Sequence, residues 1–194
     1  MNIGVKSRKS FHINEDNVIN RLAEDLYLCL NEAGKDSAEI YIVCIGSDRA
    51  TGDSLGPIIG HMISSQLQNP NVKVYGNLDR PVHAANIERA VDRIYLENDE
   101  PLIIAVDAAL SRSADSIGLL NIGIGSLNPG AFAEKYLLPI GHIYITGVVN
   151  WADRLGEIDV LQSTRLGFVM KMADIMSQGI CLALNKWKEN TEIY

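Results

Sequence analysis

The sequence has few of the features that mark specialised protein classes. Its 194 residues carry only 17 Lys and Arg against 24 Asp and Glu, a net charge of −7. This shortage of positive charge argues against a general nucleic-acid binder, because such proteins gain affinity by neutralising phosphates. The three cysteines show no Cys-x-x-Cys spacing, so we interpret them as small buried hydrophobic residues in a reducing compartment.

Targeting and membrane segments are also lacking. The basic residues near the N-terminus are not followed by an apolar stretch, so we expect no signal peptide. No window reaches the ~18 apolar residues that cross a bilayer, and we find no repeats or low-complexity segments. These absences predict a cytoplasmic protein with no membrane partner. The sequence is compatible with homo-oligomerisation.

Apolar periodicity predicts alternating strands and helices. Residues 1–14 are expected to form a flexible N-terminal arm and residues 15–194 a single domain. Strands are predicted at 39–46, 72–78, 101–107 and 142–150, helices at 15–32, 54–67, 84–96 and 162–187, and a hairpin or edge strand with a loop at 116–130. This alternation predicts an α/β fold with three α/β/α layers and a mostly parallel sheet, of the phosphorylase/hydrolase-like kind.

The loop CIGSDRATGDSLGP, residues 44–57, raises the question of function. It joins a predicted strand to a predicted helix, an arrangement that commonly builds sites in α/β proteins. Its glycines resemble those of a phosphate-binding loop, but no Lys followed by Ser or Thr comes after the last glycine. The carboxylate of Asp53 would also repel a polyphosphate. We therefore expect no nucleotide cofactor.

Two interpretations remain for the acidic residues Asp53 and Asp107. Either residue alone would fit a helix N-cap, since carboxylates satisfy the free N–H groups there. If their strands are neighbours, however, both side chains project into one cleft, and one carboxyl keeps its proton while the other is charged. Such a pair supplies a general acid and a general base. A helix N-terminus favours the ionised form of Asp53, which makes it the candidate base.

A family resemblance supports the second interpretation. Residues 41–57, YIVCIGSDRATGDSLGP, resemble the spore germination protease family in a strand, a glycine and a Thr-x-Asp-x-Leu-Gly-Pro run. IIAVDAALSRS (103–113) is similar to a second family segment, and LNPGAFAEK with HIYITGVVNWAD gives a weaker third match. The length fits the smaller YyaC-type sporulation proteins better than the full germination protease. The sheet also looks similar to that of the hydrogenase-maturation endopeptidases.

The resemblance implies a peptidase whose catalytic pair is Asp53 and Asp107. Its substrates would be small DNA-coating spore proteins, cut in the forespore or spore interior without direct nucleic-acid binding and without a cofactor. The alternative is a non-catalytic binding or regulatory sporulation protein that retains the fold. Paired carboxylates also hydrolyse glycosidic bonds, so that third chemistry stays open.

Five further residues are candidates for substrate binding or for support of the pair. Thr51 could hydrogen-bond a carboxylate, and Arg112 could hold a substrate carbonyl or simply face solvent. His83 follows the second strand, where it either lines the cleft or has only a structural role. Asp48 lies in the first loop and Asn128 in the loop SLNPG.

Metal and nucleophilic chemistry have weaker signals. Hydrogenase-maturation endopeptidases use a His in the loop that reads SLNPG in this chain, which has none there. We therefore expect no metal. No Gly-x-Ser-x-Gly elbow occurs, so a serine nucleophile is not expected either.

Overall fold

A six-stranded sheet forms the centre of the fold in the computed structural model, which describes residues 8–34, 39–129, 138–152 and 156–191. In chain order the strands are β1 Arg8–His12, β2 Ile40–Cys44, β3 Val72–Tyr75, β4 Leu102–Ser111, β5 Leu119–Ile124 and β6 Ile143–Trp151. They lie side by side in the order β1-β5-β6-β4-β2-β3. Strands β3, β2, β4 and β6 are parallel, whereas β5 and β1 run antiparallel. The predicted mostly parallel sheet is confirmed.

Helices cover both faces of this sheet. They are α1 Val18–Ala33, α2 Leu55–Gln66, α3 Ile87–Glu97, α4 Glu157–Ser163 and α5 Leu166–Thr191. Side chains of β2 alternate between two apolar clusters, Ile40 and Ile42 with helices α1, α2 and α5, and Tyr41 and Val43 with α3. This explains why β2 is apolar throughout, since both of its faces are covered. The predicted three-layer α/β/α class is confirmed.

The prediction of a flexible arm over residues 1–14 is wrong for its second half. Strand β1 pairs with β5 from Arg8↔Gly123 to His12↔Leu119. Phe11 and Ile13 are only 1% and 3% exposed. Burial of these two side chains therefore anchors the segment to the sheet. Residues 1–7 lie outside the described residues.

Three further boundaries differ from prediction. β4 does not end at Asp107 but continues to Ser111, because β6 runs beside it to Trp151. β5 is not an edge strand, since β1 covers its outer side. The predicted helix over 162–187 begins later, at Leu166 of α5, and the shorter α4 before it was not predicted. The Thr164 hydroxyl closes α4 by donating to the carbonyl of Val160 (2.9 Å).

Helix α5, with 26 residues, is both long and apolar. Over Leu166–Trp187 its length and mean hydropathy of 1.3 would suffice to cross a membrane, and it is the one such helix among the residues described. However, 56% of that window is buried inside the fold. Its residues Val169, Met172 and Met176 are fully buried in the larger apolar cluster. The helix therefore has the packing of a core helix.

Glycines bring α2 into direct contact with the end of β2. A Cβ on Gly56 would lie 2.0 Å from the carbonyl oxygen of Ile45, and one on Gly60 would lie 1.9 Å from the carbonyl oxygen of Gly76. Gly76 itself has a φ of +87°, and a Cβ there would lie 1.9 Å from the carbonyl oxygen of Cys44. No side chain fits between these backbones, so the start of α2 lies directly against the sheet.

We predict that Gly60→Ala destabilises the protein although alanine is the better helix former. The added methyl group would meet a backbone carbonyl, and overpacking of this kind costs about 1–3 kcal/mol. Gly167→Ala is the matched control, because a Cβ there meets nothing within 4 Å. Urea unfolding should show a lower free energy of unfolding for Gly60→Ala and an equal or higher one for Gly167→Ala. Equal stability of Gly60→Ala and wild type would contradict this packing.

Candidate active site

The loop after β2 positions Asp53. Beyond the strand, the Ile45 amide still donates to Val106 of β4 (2.7 Å). The chain then turns at Gly46, which has a φ of +140° and would place a Cβ 2.0 Å from the Asp53 carbonyl oxygen. The Ser47 amide donates to that same carbonyl (3.2 Å). The loop therefore folds back on itself, with Asp53 directly beside the end of β2.

Helix α4 holds the loop from its other side. The Gly52 amide donates to the carbonyl of Leu161 in α4 (2.8 Å). The Asn150 amide nitrogen, near the end of β6, donates to Thr164 Oγ1 (3.1 Å) and to the carbonyl of Val160 (3.3 Å). Strand β6, helix α4 and the Asp53 loop are thus tied together by hydrogen bonds.

Asp107 lies in β4 one residue beyond the point where β2 stops pairing. It is only 8% exposed, and its Oδ1 accepts a hydrogen bond from the Ala108 amide (2.8 Å). Burial raises the pKa of Asp107 well above its ordinary value, and the negative charge of Asp53 raises it further. Because desolvation and a like charge both favour the neutral form, Asp107 is the carboxyl that retains its proton.

The pKa of Asp53 is also raised, but less than that of Asp107, because its causes oppose one another. Burial raises the pKa of Asp53, while a hydrogen bond from the Ser47 amide and the nearby His83 lower it. Asp53 is therefore the partner that ionises first. The two carboxyl groups act on each other electrostatically, as expected for aspartates from neighbouring strands.

The helix-cap interpretation does not fit either aspartate. Ser54, not Asp53, occupies the N-cap position of α2, and no side chain there makes a capping hydrogen bond. Asp107 lies within a strand rather than at a helix start. Neither carboxyl is therefore explained as a cap.

His83 lies beside Asp53. Val82 forms a parallel bridge to Ile45, and the Gly46 amide donates to the Val82 carbonyl (2.8 Å). This contact holds the segment after β3 against the Asp53 loop. The Nδ1 atom of His83 accepts from the Ala85 amide (3.2 Å), which leaves Nε2 for other partners.

The other predicted site residues lie farther out. Thr51 is half-buried, and its carbonyl accepts from the Ser54 hydroxyl (2.6 Å). Asp48, Arg112 and Asn128 are exposed. Within the described parts of the chain, no hydrogen bond joins any of these four to either aspartate. Of the predicted residues, the structure therefore brings together Asp53, Asp107 and His83.

A row of polar side chains next to Asp107 was missed by the sequence analysis. In register across β1, β5, β6 and β4 lie Ser10, Asn121, Thr146 and Asp107. The Ser10 hydroxyl donates to Asn121 Oδ1 (2.6 Å), and Asn121 Nδ2 donates to Thr146 Oγ1 (3.3 Å). Asn121 and Thr146 interrupt the apolar runs LLNIGI and IYITGVV. A polar residue inside a buried strand is the signal that could have revealed them.

Among the residues that the structure describes, no group of three or more His, Cys, Asp or Glu side chains could hold a metal ion.

We predict that Asp107→Asn stabilises the protein at neutral pH. The folded state binds the Asp107 proton more tightly than the unfolded state, because the pKa of Asp107 is raised on folding. The wild-type free energy of unfolding therefore falls as the pH rises from about 4, the pKa of an unfolded aspartate, toward the higher pKa of folded Asp107. Asparagine has no proton to lose and keeps the Oδ1 acceptor. Urea unfolding between pH 4.5 and 8 should therefore show a widening advantage for the variant. Asp48→Asn, in the exposed part of the loop, should follow wild type; parallel curves for all three proteins would contradict the assignment.

Comparison with known proteins places these observations in a family. A solved hydrogenase maturation protease, [NiFe] hydrogenase maturation protease HycI from Thermococcus kodakarensis KOD1, has the same fold, with a TM-score of 0.55 and 18% identity. The match covers 80% of this chain and 98% of that one. The similarity of the sheet to that of the hydrogenase-maturation endopeptidases is confirmed.

A sequence relative is closer. The uncharacterised protein YyaC of Bacillus subtilis (strain 168) is 44% identical over 151 residues, which cover 77% of this chain and 72% of that protein. The predicted resemblance to YyaC-type proteins is therefore confirmed. Residues 10–179 match the family described as "Protein of unknown function (DUF1256)", and the chain belongs to this family.

Proposed function

We propose that this protein is a peptidase that cuts small spore proteins in the forespore, with Asp53 and Asp107 as its acid–base pair. The observation that carries the proposal is the buried carboxyl of Asp107, whose pKa is raised by burial and by the charge of Asp53. Two carboxyl groups at one site, one protonated and the other ionised, are a common basis for acid–base catalysis. The fold shared with a protein named as a protease and the resemblance to germination protease motifs support the same activity.

Each aspartate has a defined task in this reaction. The Asp53 carboxylate accepts a proton from water as the water oxygen bonds to the peptide carbonyl carbon. The Asp107 carboxyl then donates its proton to the amide nitrogen as the C–N bond breaks. The products are a carboxylic acid and an amine. Transfer of the proton from Asp53 to Asp107 restores the starting state, so no proton is gained or lost.

The surroundings suit these tasks. The Ser47 amide and His83 both favour ionised Asp53, as a base requires. Burial of Asp107 favours the neutral acid. Hydrogen bonds hold the Asp53 loop beside the end of β2, and Asp107 is part of β4. Preorganisation of this kind contributes a large part of catalysis.

We predict that Asp53→Asn and Asp107→Asn each lower turnover by about 10²–10⁴, the range for loss of a general acid or base. The assay is cleavage of a small DNA-binding spore protein by the purified full chain, followed by mass spectrometry of the fragments. Asp48→Asn is the matched control, because it removes an exposed carboxylate from the same loop. Melting temperatures of all four proteins separate loss of activity from loss of folding.

The outcome distinguishes two functions. Cleavage by wild type and Asp48→Asn, with folded but inactive Asp53→Asn and Asp107→Asn, would support the peptidase. Well-folded wild type that binds the spore protein without cutting it at any pH from 4 to 9 would instead favour a binding or regulatory protein. Cleavage retained in both Asn variants would remove the aspartates from the mechanism.

We predict a bell-shaped dependence of kcat/KM on pH, with ionisation of Asp53 on the acid side and loss of the Asp107 proton on the basic side. His83 lowers the pKa of Asp53, so His83→Gln should move the acid limb to higher pH and leave the basic limb in place. His61→Gln, on the exposed side of α2, should leave both limbs unchanged. An unshifted acid limb in His83→Gln would contradict this role.

A further inference from the structure

A groove of about 230 Å³ opens on the sheet face that carries the polar row. It is lined by Arg8, Asn121, Ser126, Leu127, Asn128, Tyr144 and Thr146. Two of the residues at its floor, Asn121 and Thr146, are 4% and 9% exposed. No step of the proposed reaction uses this groove, and buried polar floors of this kind usually serve recognition.

Hydrogen bonding within the groove orients its donors. Arg8 Nη2 donates to Asn121 Oδ1 (2.8 Å), and that oxygen also accepts from Ser10. Asn121 is therefore saturated as an acceptor, and its amide group donates to Thr146. The guanidinium of Arg8 has five N–H donors. Within the described parts of the chain, its hydrogen-bond partner is Asn121. The remaining donors make the groove complementary to an anion.

The lining fits a carboxylate. Among the described residues of the lining, Arg8 is the one charged side chain, and the Ser126, Tyr144 and Thr146 hydroxyls are neutral donors. A planar guanidinium binds a carboxylate through two parallel hydrogen bonds. Leu127 and the Tyr144 ring add apolar surface that suits the methylene groups of an acidic side chain.

The groove is within reach of the aspartate pair. Asn121 is the register partner of Thr146, and Thr146 is the register partner of Asp107. Two strand spacings separate Asn121 from Asp107, about 10 Å, which about three residues of an extended peptide span. A peptide at Asp107 would therefore place a side chain three positions away in the groove.

The geometry points to a subsite that binds a carboxylate of the substrate, with Arg8 as its specificity-determining residue. This inference rests on the proposed peptidase function. The carboxylate comes from an Asp or Glu side chain about three residues from the cut, or from the C-terminus of a short substrate.

A binding experiment tests the subsite by affinity rather than by turnover. Three fluorescent peptides are titrated into the full chain: acetyl-AAAEAAA-amide, acetyl-AAAQAAA-amide and acetyl-AAAQAAA with a free carboxylate. The Glu peptide, the free-carboxylate peptide, or both should bind about tenfold tighter than the neutral peptide, as expected for hydrogen bonds to a charged group. The stronger binder of the two identifies the source of the carboxylate. NMR shifts of the Asn121 and Thr146 amides locate the peptide.

Three variants complete the test. Arg8→Gln should abolish the carboxylate preference, and Arg8→Lys should keep part of it. Lys9→Gln makes the same charge change at the adjacent residue of β1, which contacts Asp25 instead, and should keep all of it. Equal affinity for the three peptides in wild type, or a preference unaffected in folded Arg8→Gln, would overturn the subsite. Because binding is measured, a protein that binds carboxylates but cuts nothing contradicts only the peptidase.

Discussion

Backbone lies directly against backbone where helix α2 meets the end of β2, at Gly56, Gly60 and Gly76. This contact decides where the site is. A helix packed through side chains would lie farther from the sheet, and the loop before it would carry Asp53 away from β4. The turn at Gly46 completes the arrangement, because its φ of +140° lets the loop return to the strand end. These four glycines thus place the Asp53 carboxyl beside the carboxyl of Asp107, which is buried in the sheet.

Burial of Asp107 raises the pKa of its carboxyl at the expense of stability. A carboxyl in an apolar surrounding resists ionisation, and here the neighbouring Asp53 strengthens that resistance. The surrounding β-sheet can tolerate the cost because its two apolar clusters are extensive. Other polar groups at the same face satisfy one another by hydrogen bonds, as Ser10, Asn121 and Thr146 do. Asp107 differs, since the hydrogen bond described for its carboxyl comes from the backbone amide of its neighbour Ala108.

The sequence predicts the layers of this fold from local signals. It also singles out Asp53 and Asp107, but their approach depends on the neighbouring positions of β2 and β4 in the sheet. Apolar runs such as IYIVC predict buried parallel strands, and the glycine-rich loop predicts a turn into a helix. The position of β1 could not be predicted in this way. Its pairing with β5 joins residues more than 100 positions apart, for example Arg8 with Asn121, and five residues carry little periodicity of their own. The groove was missed for the same reason, since it exists only once β1, β5 and β6 lie together. The break between α4 and α5 falls in the polar run 162–165, where the Thr164 hydroxyl donates to the carbonyl of Val160.

The place of β1 in the sheet has a consequence for how the protein is made. This strand is synthesised early, yet its partner β5 follows more than 100 residues later, and closing so long a loop is slow. The Asp53 loop and Asp107 also depend on later segments, because Gly52 donates to Leu161 of α4 and Asp107 lies in register with Thr146 of β6. Both α4 and β6 follow β5 in the chain. The carboxyl pair and the groove therefore reach their final arrangement together, once β5, β6 and α4 have all been synthesised.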